Sequence, residues 1–391
     1  MRIKILFLLL MVSFGLVGCS SGAEVLPWRW VFVESGNLGR SSEVQKIKKI
    51  VTTAAEHGLN GMVLTAGFDR LDQQSEDYFK GLAEVKQTCG ELGVEIIPLV
   101  FSVGYGSTLS QDINLAAGLP VRDQLFVAGE GEAHFVPDAP VVLVNGGFEE
   151  LKDGRVAGFV QGDSLEQVIS QESSDFKEGK VSLCFQNFDA LGKRPAVLKQ
   201  TVKVKPWRSY VIRCWVKTDQ LAPGRCFAVR AMGKERLVGE YVPRWGATND
   251  WTRVTLGFNS SNHDELEVSV GAPEAKAGRF WIDGLEMNEV GLVNVLRRPG
   301  APVMVKSETG ATVYEEGLDY LPVADPSMDL RFEHDGPRIK LSPDSRIKPG
   351  ERLLVSYYHG FMSEPGKGQR TTCFSEEKVY QIWAEQARLL A

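Results

Sequence analysis

Apolar strands alternate with amphipathic helices near the start of the chain, and this alternation is the strongest constraint on its fold. The runs Trp28–Glu34, Gly61–Thr65 and Val94–Phe101 have the composition of buried strands. In the two stretches between them, apolar residues recur at helical spacing and a glycine follows each stretch. Such strands, separated by helices, are typical of a parallel sheet that is covered on its faces. The spacing predicts the first part of a (β/α) barrel over residues 28–140.

The pattern changes after residue 140. Residues 141–290 contain short segments of alternating apolar and polar residues with turn residues between them, which predicts a β-sandwich of ordinary domain size. Within it, Val197–Val204 and Tyr210–Thr218 are joined by a turn and predict an antiparallel hairpin. Residues 291–350 are rich in Pro, Gly and Asp and predict a β-rich connector.

The last part of the chain, residues 351–391, returns to the first pattern. Arg352–His359 predicts a buried strand, and Ser375 is a suitable N-cap for a final helix that reaches Ala391 without a capping residue. The predicted fold class is therefore multi-domain, α/β plus all-β: a partial TIM-like barrel, interrupted by the sandwich and resumed for one strand and one helix. Only about half of the units of a closed barrel are present, so we expect a truncated barrel.

The N-terminus predicts an exported, lipid-anchored protein. Residues 1–18 combine a short basic start with an apolar run that is too short to span a bilayer comfortably. Leu16-Val17-Gly18-Cys19 resembles the bacterial lipobox, in which Cys19 carries the lipid, and residues 19–27 would form a tether. The expected location is the cell membrane or outer membrane, lipid-anchored and periplasmic or surface-exposed. An ordinary secreted protein is the alternative.

Charge and cysteine content exclude several classes of protein. The net charge is −6 and there is no cluster of Lys or Arg, which argues against nucleic-acid binding. The five cysteines other than Cys19 are scattered and contain no C-x-x-C, so neither a disulfide scaffold nor a zinc site is predicted. Buried free thiols are expected, with a Cys214–Cys226 bridge left open.

The segment 141–290 resembles carbohydrate-binding modules of the family 4/9/22 type. The resemblance rests on Asn145–Glu149, Gly179–Leu183, Trp251 and Gly278–Asp283, which occur in the order found in that family. It implies a jelly-roll-like, galactose-binding-like sandwich that binds a polysaccharide or oligosaccharide. Many such modules hold a structural calcium between residues that match Glu149 and Asp283, and hard oxygen ligands suit that ion. A pair of strand-end charges without a metal is the alternative.

The flanking segments resemble the barrel of bacterial glycoside-hydrolase-like proteins. This resemblance rests on Trp28–Val31, Pro98–Phe101, Gly118–Val121 and Val355–His359. It covers half a barrel and implies hydrolase activity, although no catalytic pair transfers from it residue by residue.

Three residues are weak catalytic candidates because barrel active sites lie at the C-terminal ends of strands. Glu34 and Asp69 are the carboxylates that fall at such ends, and glycosidases need a pair of carboxylates across the scissile bond. His359 follows two tyrosines at the end of the last strand and could contact a sugar. Sugar-hydroxyl binding or a helix-cap role for the two carboxylates, and a structural role for His359, are the alternatives.

The aromatic residues of the sandwich divide into two groups. Trp207, Trp215, Trp251 and Trp281 coincide with packing positions of the resembling family and are expected in the core.

Tyr241 and Trp245 lie in a loop-like stretch and are the predicted carbohydrate-binding residues, because a flat aromatic ring suits the apolar face of a pyranose. Loop aromatics that merely shield the core are the alternative.

Together these features predict a carbohydrate-active surface lipoprotein with a glycoside-hydrolase-like barrel and a glycan-binding sandwich. Two alternatives remain open: a non-catalytic glycan-binding lipoprotein, and an inactive fragment of a longer glycosidase. The expected partners are a polysaccharide and, through the lipid anchor, a membrane.

Overall fold

The computed structural model of the chain describes residues 26–100, 112–138, 141–234, 236–328, 332–360 and 371–390, except for the side chain of Asp69. The predicted signal peptide and Cys19 lie outside the described residues. The chain divides into two compact units, the first formed by Met1–Val100 with Leu390 and the second by Phe101–Leu389 with Ala391. None of the described helices is both long enough and apolar enough to cross a membrane.

The described helices are α1 (Ser41–Glu56), α2 (Glu76–Glu91) and α3 (Glu377–Leu390). The strands, in chain order, are β1 (Trp30–Glu34), β2 (Gly61–Thr65), β3 (Glu95–Pro98), β4 (Gly118–Ala128), β5 (Glu132–Phe135), β6 (Leu151–Lys152), β7 (Arg155–Val156), β8 (Val160–Gln161), β9 (Ile169–Glu172), β10 (Ser182–Phe185), β11 (Ala196–Lys203), β12 (Ser209–Ala222), β13 (Ala228–Met232), β14 (Leu237–Tyr241), β15 (Asn249–Asn259), β16 (Glu265–Ala272), β17 (Ala277–Glu289), β18 (Met304–Ser307), β19 (Val313–Tyr314), β20 (Ile339–Lys340) and β21 (Arg352–Gly360).

The first unit is a small parallel α/β layer. Its sheet has the order β1-β2-β3, and both pairs of strands are parallel, as the apolar pattern predicts. Val33 and Met62 share a core with residues of α1 and α2, whereas Trp30 and Phe32 on the opposite side of β1 are 48% and 59% exposed. The helices therefore cover one face of the sheet. Among the described residues this sheet has three strands. These three strands are as much of the predicted barrel as the described residues show.

The predicted β-sandwich is confirmed. One sheet has the order β15-β12-β17-β10-β9 and the other β14-β13-β16-β11-β8. Alternate side chains of both sheets meet in a common core, where Phe185 and Phe280 stack with ring centroids 4.4 Å apart. All five cysteines in the described residues are free thiols, so the Cys214–Cys226 bridge is not formed.

The predicted hairpin within the sandwich is wrong. β11 pairs with β8 and β16 in one sheet, while β12 pairs with β15 and β17 in the other. The turn between them carries the chain from one sheet to the other. Short apolar strands joined by a tight turn give the same sequence pattern in both arrangements, because alternation specifies which face is buried and leaves the pairing partner open.

The predicted resumption of the barrel in residues 351–391 is also wrong. β21 pairs antiparallel with β4 and β18 in a six-stranded sheet of order β19-β18-β21-β4-β5-β20. Gly118–Val121 and the predicted connector, residues 291–350, contribute strands to this same sheet. Its core includes Leu353 and Val355 of β21. A short apolar run cannot reveal whether its neighbours run parallel or antiparallel.

The predicted final helix is present as α3. Its Val379 is fully buried against Leu115, and Ile382 and Trp383 pack beside them. The apolar side of this helix therefore has a packing partner within the second unit.

Candidate functional site

The two predicted sugar-stacking residues lie at the edge of the sandwich. Tyr241 ends the edge strand β14 opposite Val229, whose side chain is fully buried, so the Tyr241 ring lies on the inner side of the sheet and packs against the core. Trp245 packs against the same core, with its ring centroid 6.2 Å from that of Phe227. Both side chains remain partly exposed. Each ring is thus supported by the core and open to solvent over part of its surface.

Hydrogen bonds fix the chain that follows Trp245. Asn249 Nδ2 donates to the Gly246 carbonyl at 2.8 Å and to Thr218 Oγ1 at 3.1 Å. Thr248 Oγ1 accepts from the Gln220 backbone amide at 2.9 Å. The indole N–H of Trp245 donates to no group in the described part of the chain. It is therefore an available donor on a partly exposed ring.

Three tryptophans expected in the core instead lie on the outer face of the sheet that contains β12. Trp215 lies between Cys214 and Val216, which are buried in the core, and it pairs with Arg253 and Asp283 on the neighbouring strands. Trp281 belongs to the same face, because Lys217 opposite it is out of phase with the core residues. Trp251 does too, since it is two residues from Arg253 on the same strand and its indole contacts Asp175, as Lys217 does. The sequence of Tyr210–Thr218 already indicated that Trp215 points outward, since Trp215 is out of phase with the buried positions of that strand.

A loop after β9 holds the indole groups of two of these tryptophans. Trp251 Nε1 donates to Asp175 Oδ1 at 2.6 Å, and Lys217 Nζ donates to Asp175 Oδ2 at 2.7 Å. Trp215 Nε1 donates to Glu178 Oε1 at 3.2 Å. Burial works to raise the pKa of Asp175, but hydrogen bonds from Lys217 and Trp251 outweigh it, so the pKa lies below its ordinary value.

Cations flank the same rings. The Lys177 ammonium is 5.3 Å and the Arg253 guanidinium 6.0 Å from the Trp215 ring centroid. Lys217 and Arg279 lie 5.5 Å and 4.9 Å from the Trp281 ring centroid. We call Trp215, Trp251 and Trp281 together the outer tryptophan face.

The carboxylates predicted to bind calcium are engaged by backbone amides of the same loop. Glu149 Oε1 accepts from the Lys180 amide at 2.7 Å. Asp283 Oδ2 accepts from the Lys177 and Glu178 amides at 2.6 Å and 2.8 Å. N–H donors compete with a cation for these oxygens, and the described residues contain no group of three His, Cys, Asp or Glu side chains that could hold a metal. The calcium site at Glu149 and Asp283 therefore remains a prediction.

The three weak catalytic candidates are described to different extents. Glu34 ends β1 in the first unit and is exposed, while the side chain of Asp69 lies outside the description. His359 is fully buried in β21 of the second unit. Its Nε2 accepts from Asn259 Nδ2 at 3.0 Å and its ring meets Phe332 edge to face. Burial lowers the pKa of His359 to about 4, so a structural role for this neutral histidine fits its surroundings and a sugar contact does not.

Comparisons with known proteins yield partial structural matches. No protein-family model and no curated protein sequence matches the chain. A solved family 4 module, "CBM4 structure and function", is 16% identical with a TM-score of 0.28 over 38% of this chain and 99% of its own. The family 61 module TmCBM61 in complex with β-1,4-galactotriose is 18% identical with a TM-score of 0.28, over 38% and 97%. The CBM22-1 xylan-binding domain of Xyn10C from Paenibacillus barcinonensis is 15% identical with a TM-score of 0.26, over 37% and 90%.

Proposed function

We propose that the sandwich binds a glycan chain and that Tyr241 and Trp245 form its stacking platform. The carrying observation is that both rings are supported by the core and partly exposed, with the Trp245 N–H free of any partner among the described residues. A ring held in this way loses little side-chain entropy when a sugar stacks on it. Its apolar surface suits the C–H face of a pyranose, and the indole N–H can donate to a hydroxyl.

The proposed function is non-covalent binding of the glycan, with no bond made or broken. One stacked ring contributes about 1 kcal/mol, so removing the Trp245 ring should weaken binding roughly fivefold. The segment after Trp245 is fixed by the hydrogen bonds of Asn249 and Thr248, so the platform is formed before the ligand arrives.

Affinity electrophoresis of the whole chain through gels that contain plant, algal or bacterial glycans tests this proposal. We expect at least one glycan to retard the parent protein, and Trp245→Ala to reduce that retardation. The matched control is Trp28→Ala, because Trp28 is 72% exposed and lies in the first unit; it should migrate like the parent. Equal retardation of parent and Trp245→Ala would place the site elsewhere, and no retardation by any glycan would remove the binding role.

We also propose that the protein acts at a membrane surface through a lipid on Cys19. The support is the four-residue lipobox Leu16–Cys19 behind an apolar run. Cys19→Ala should release the protein from the membrane fraction or block its processing. A variant that is processed and fractionates like the parent would contradict the anchor.

A further inference from the structure

The outer tryptophan face has no role in the packing of the sandwich core. Its three rings lie on the side of the sheet opposite the common core, and Trp215 and Trp251 are partly exposed. Phe176, in the loop that crosses this face, is 41% exposed. Trp281 is 6% exposed and its buried Nε1 donates to no group within the described residues. Buried polar groups normally find a partner, so packing alone leaves this donor unexplained.

The face is held in place from two sides. The backbone amides of Lys177 and Glu178 donate to Asp283, which is fully buried, so the base of the loop is fixed to the sheet. The loop carboxylates of Asp175 and Glu178 in turn accept from the indole groups of Trp251 and Trp215. The ring orientations are therefore fixed before any ligand arrives, which lowers the entropic cost of binding.

The charges around the face balance. Three ion pairs surround it: Lys217–Asp175 at 2.7 Å, Arg253–Glu286 at 3.3 Å and Arg279–Asp219 at 3.0 Å. The face and its loop also carry Lys177, Arg213, Glu178 and the buried Asp283, two charges of each sign. A balanced set of donors and acceptors beside aromatic rings favours an uncharged, hydroxyl-rich ligand, because a charged ligand would meet as much repulsion as attraction.

We propose that the outer tryptophan face is a second glycan site, for a neutral polysaccharide, so that one molecule binds two glycan chains. Trp251 is the principal stacking residue, because no cation lies over its ring in the described part of the chain, and Trp215 and Phe176 extend the surface. Tyr241 belongs to the other sheet of the sandwich, so the two sites are on different sheets. The inference that one molecule binds two glycan chains rests on the proposed function at Tyr241 and Trp245. The second site itself does not rest on it. Two sites on one body give avidity on a polymer that neither site gives alone.

Isothermal titration calorimetry of the whole chain with a neutral oligosaccharide of the retarding polysaccharide tests this inference. We expect two sites per chain for the parent and one for Trp251→Ala, with the remaining site unchanged in affinity. That unchanged site shows that the variant has folded. Trp245→Ala should weaken the other site, and the double variant should bind at least severalfold more weakly than either single variant. The control Trp28→Ala should keep both sites.

The possible outcomes separate the two proposals. One site in the parent that Trp251→Ala leaves intact would overturn the second site and leave the proposed function standing. One site that only Trp251→Ala removes would overturn the Tyr241 and Trp245 platform and keep the outer face. A conservative variant, Trp251→Phe, retains a ring, so it should bind more tightly than Trp251→Ala; equal loss in both would show that Trp251 merely supports the loop.

Discussion

The sandwich and the three-stranded parallel sheet of the first unit bury their apolar residues to different extents. In the sandwich each sheet covers the other, and Phe280 is fully buried between them. In the first unit the helices cover one face, and Phe32 on the other face is 59% exposed. Parallel sheets are normally covered on both faces. The difference shows that the sandwich has a complete core of its own, whereas the parallel sheet buries only one side.

The largest expected effect is in the sandwich core. Phe280 stacks on Phe185 at 4.4 Å and meets Phe227 edge to face at 5.7 Å. Phe280→Ala removes these contacts and leaves a cavity, so it should lower the free energy of unfolding by about 3–5 kcal/mol. Denaturant unfolding followed by tryptophan fluorescence measures the loss. A loss below about 1 kcal/mol would mean that Phe280 is not tightly packed between the two sheets.

An effect of intermediate size is expected from His359, which is buried and neutral. The folded pKa of about 4 lies below the ordinary value of 6.5. Between these two pH values the unfolded chain binds a proton that the folded chain does not. The contribution of neutral His359 to the free energy of unfolding is therefore complete above pH 6.5 and is lost as the pH falls toward 4. The loss is on the order of 3 kcal/mol.

Unfolding curves at several pH values from 7.5 downward, for the parent and for His359→Gln, isolate this contribution. The variant should be less stable than the parent at high pH and should show a smaller decline as the pH falls. His57→Gln is the control, since His57 is exposed. Identical pH dependence in parent and His359→Gln would show that His359 does not titrate on unfolding.

The smallest expected effect is on the open face of the parallel sheet. Phe32→Ser removes a ring that is 59% exposed, so stability should change by less than about 0.5 kcal/mol. The variant should also bind less of a dye that reports exposed apolar surface. A destabilisation as large as that of Phe280→Ala would mean that another element covers this face.

Local features of the fold were predictable from the sequence, and pairing was not. Periodicity identified the parallel strands of the first unit and the presence of the sandwich. It could not assign Arg352–Gly360 to an antiparallel sheet, because the short apolar run Leu353–Val355 occurs in either arrangement. Partners far apart in sequence, such as β4 and β21, leave no local signal.

The candidate site divides in the same way. The turn-rich surroundings predicted a loop for Tyr241 and Trp245, whereas Tyr241 ends the edge strand β14 and packs against the core. The outward direction of Trp215 was encoded in the alternation of β12, but the family resemblance favoured a core role. For His359 the sequence left a sugar contact and a structural role open, and its complete burial fits the structural role.

We propose that glycan binding belongs to the sandwich and does not require the parallel sheet. The sandwich core is formed by residues of the segment 141–290, so this segment should fold alone with one cooperative thermal transition. The most direct test is to compare its dissociation constant for the retarding glycan with that of the whole chain. We expect the two dissociation constants to agree within about twofold. A folded segment that fails to bind while the whole chain binds would contradict it.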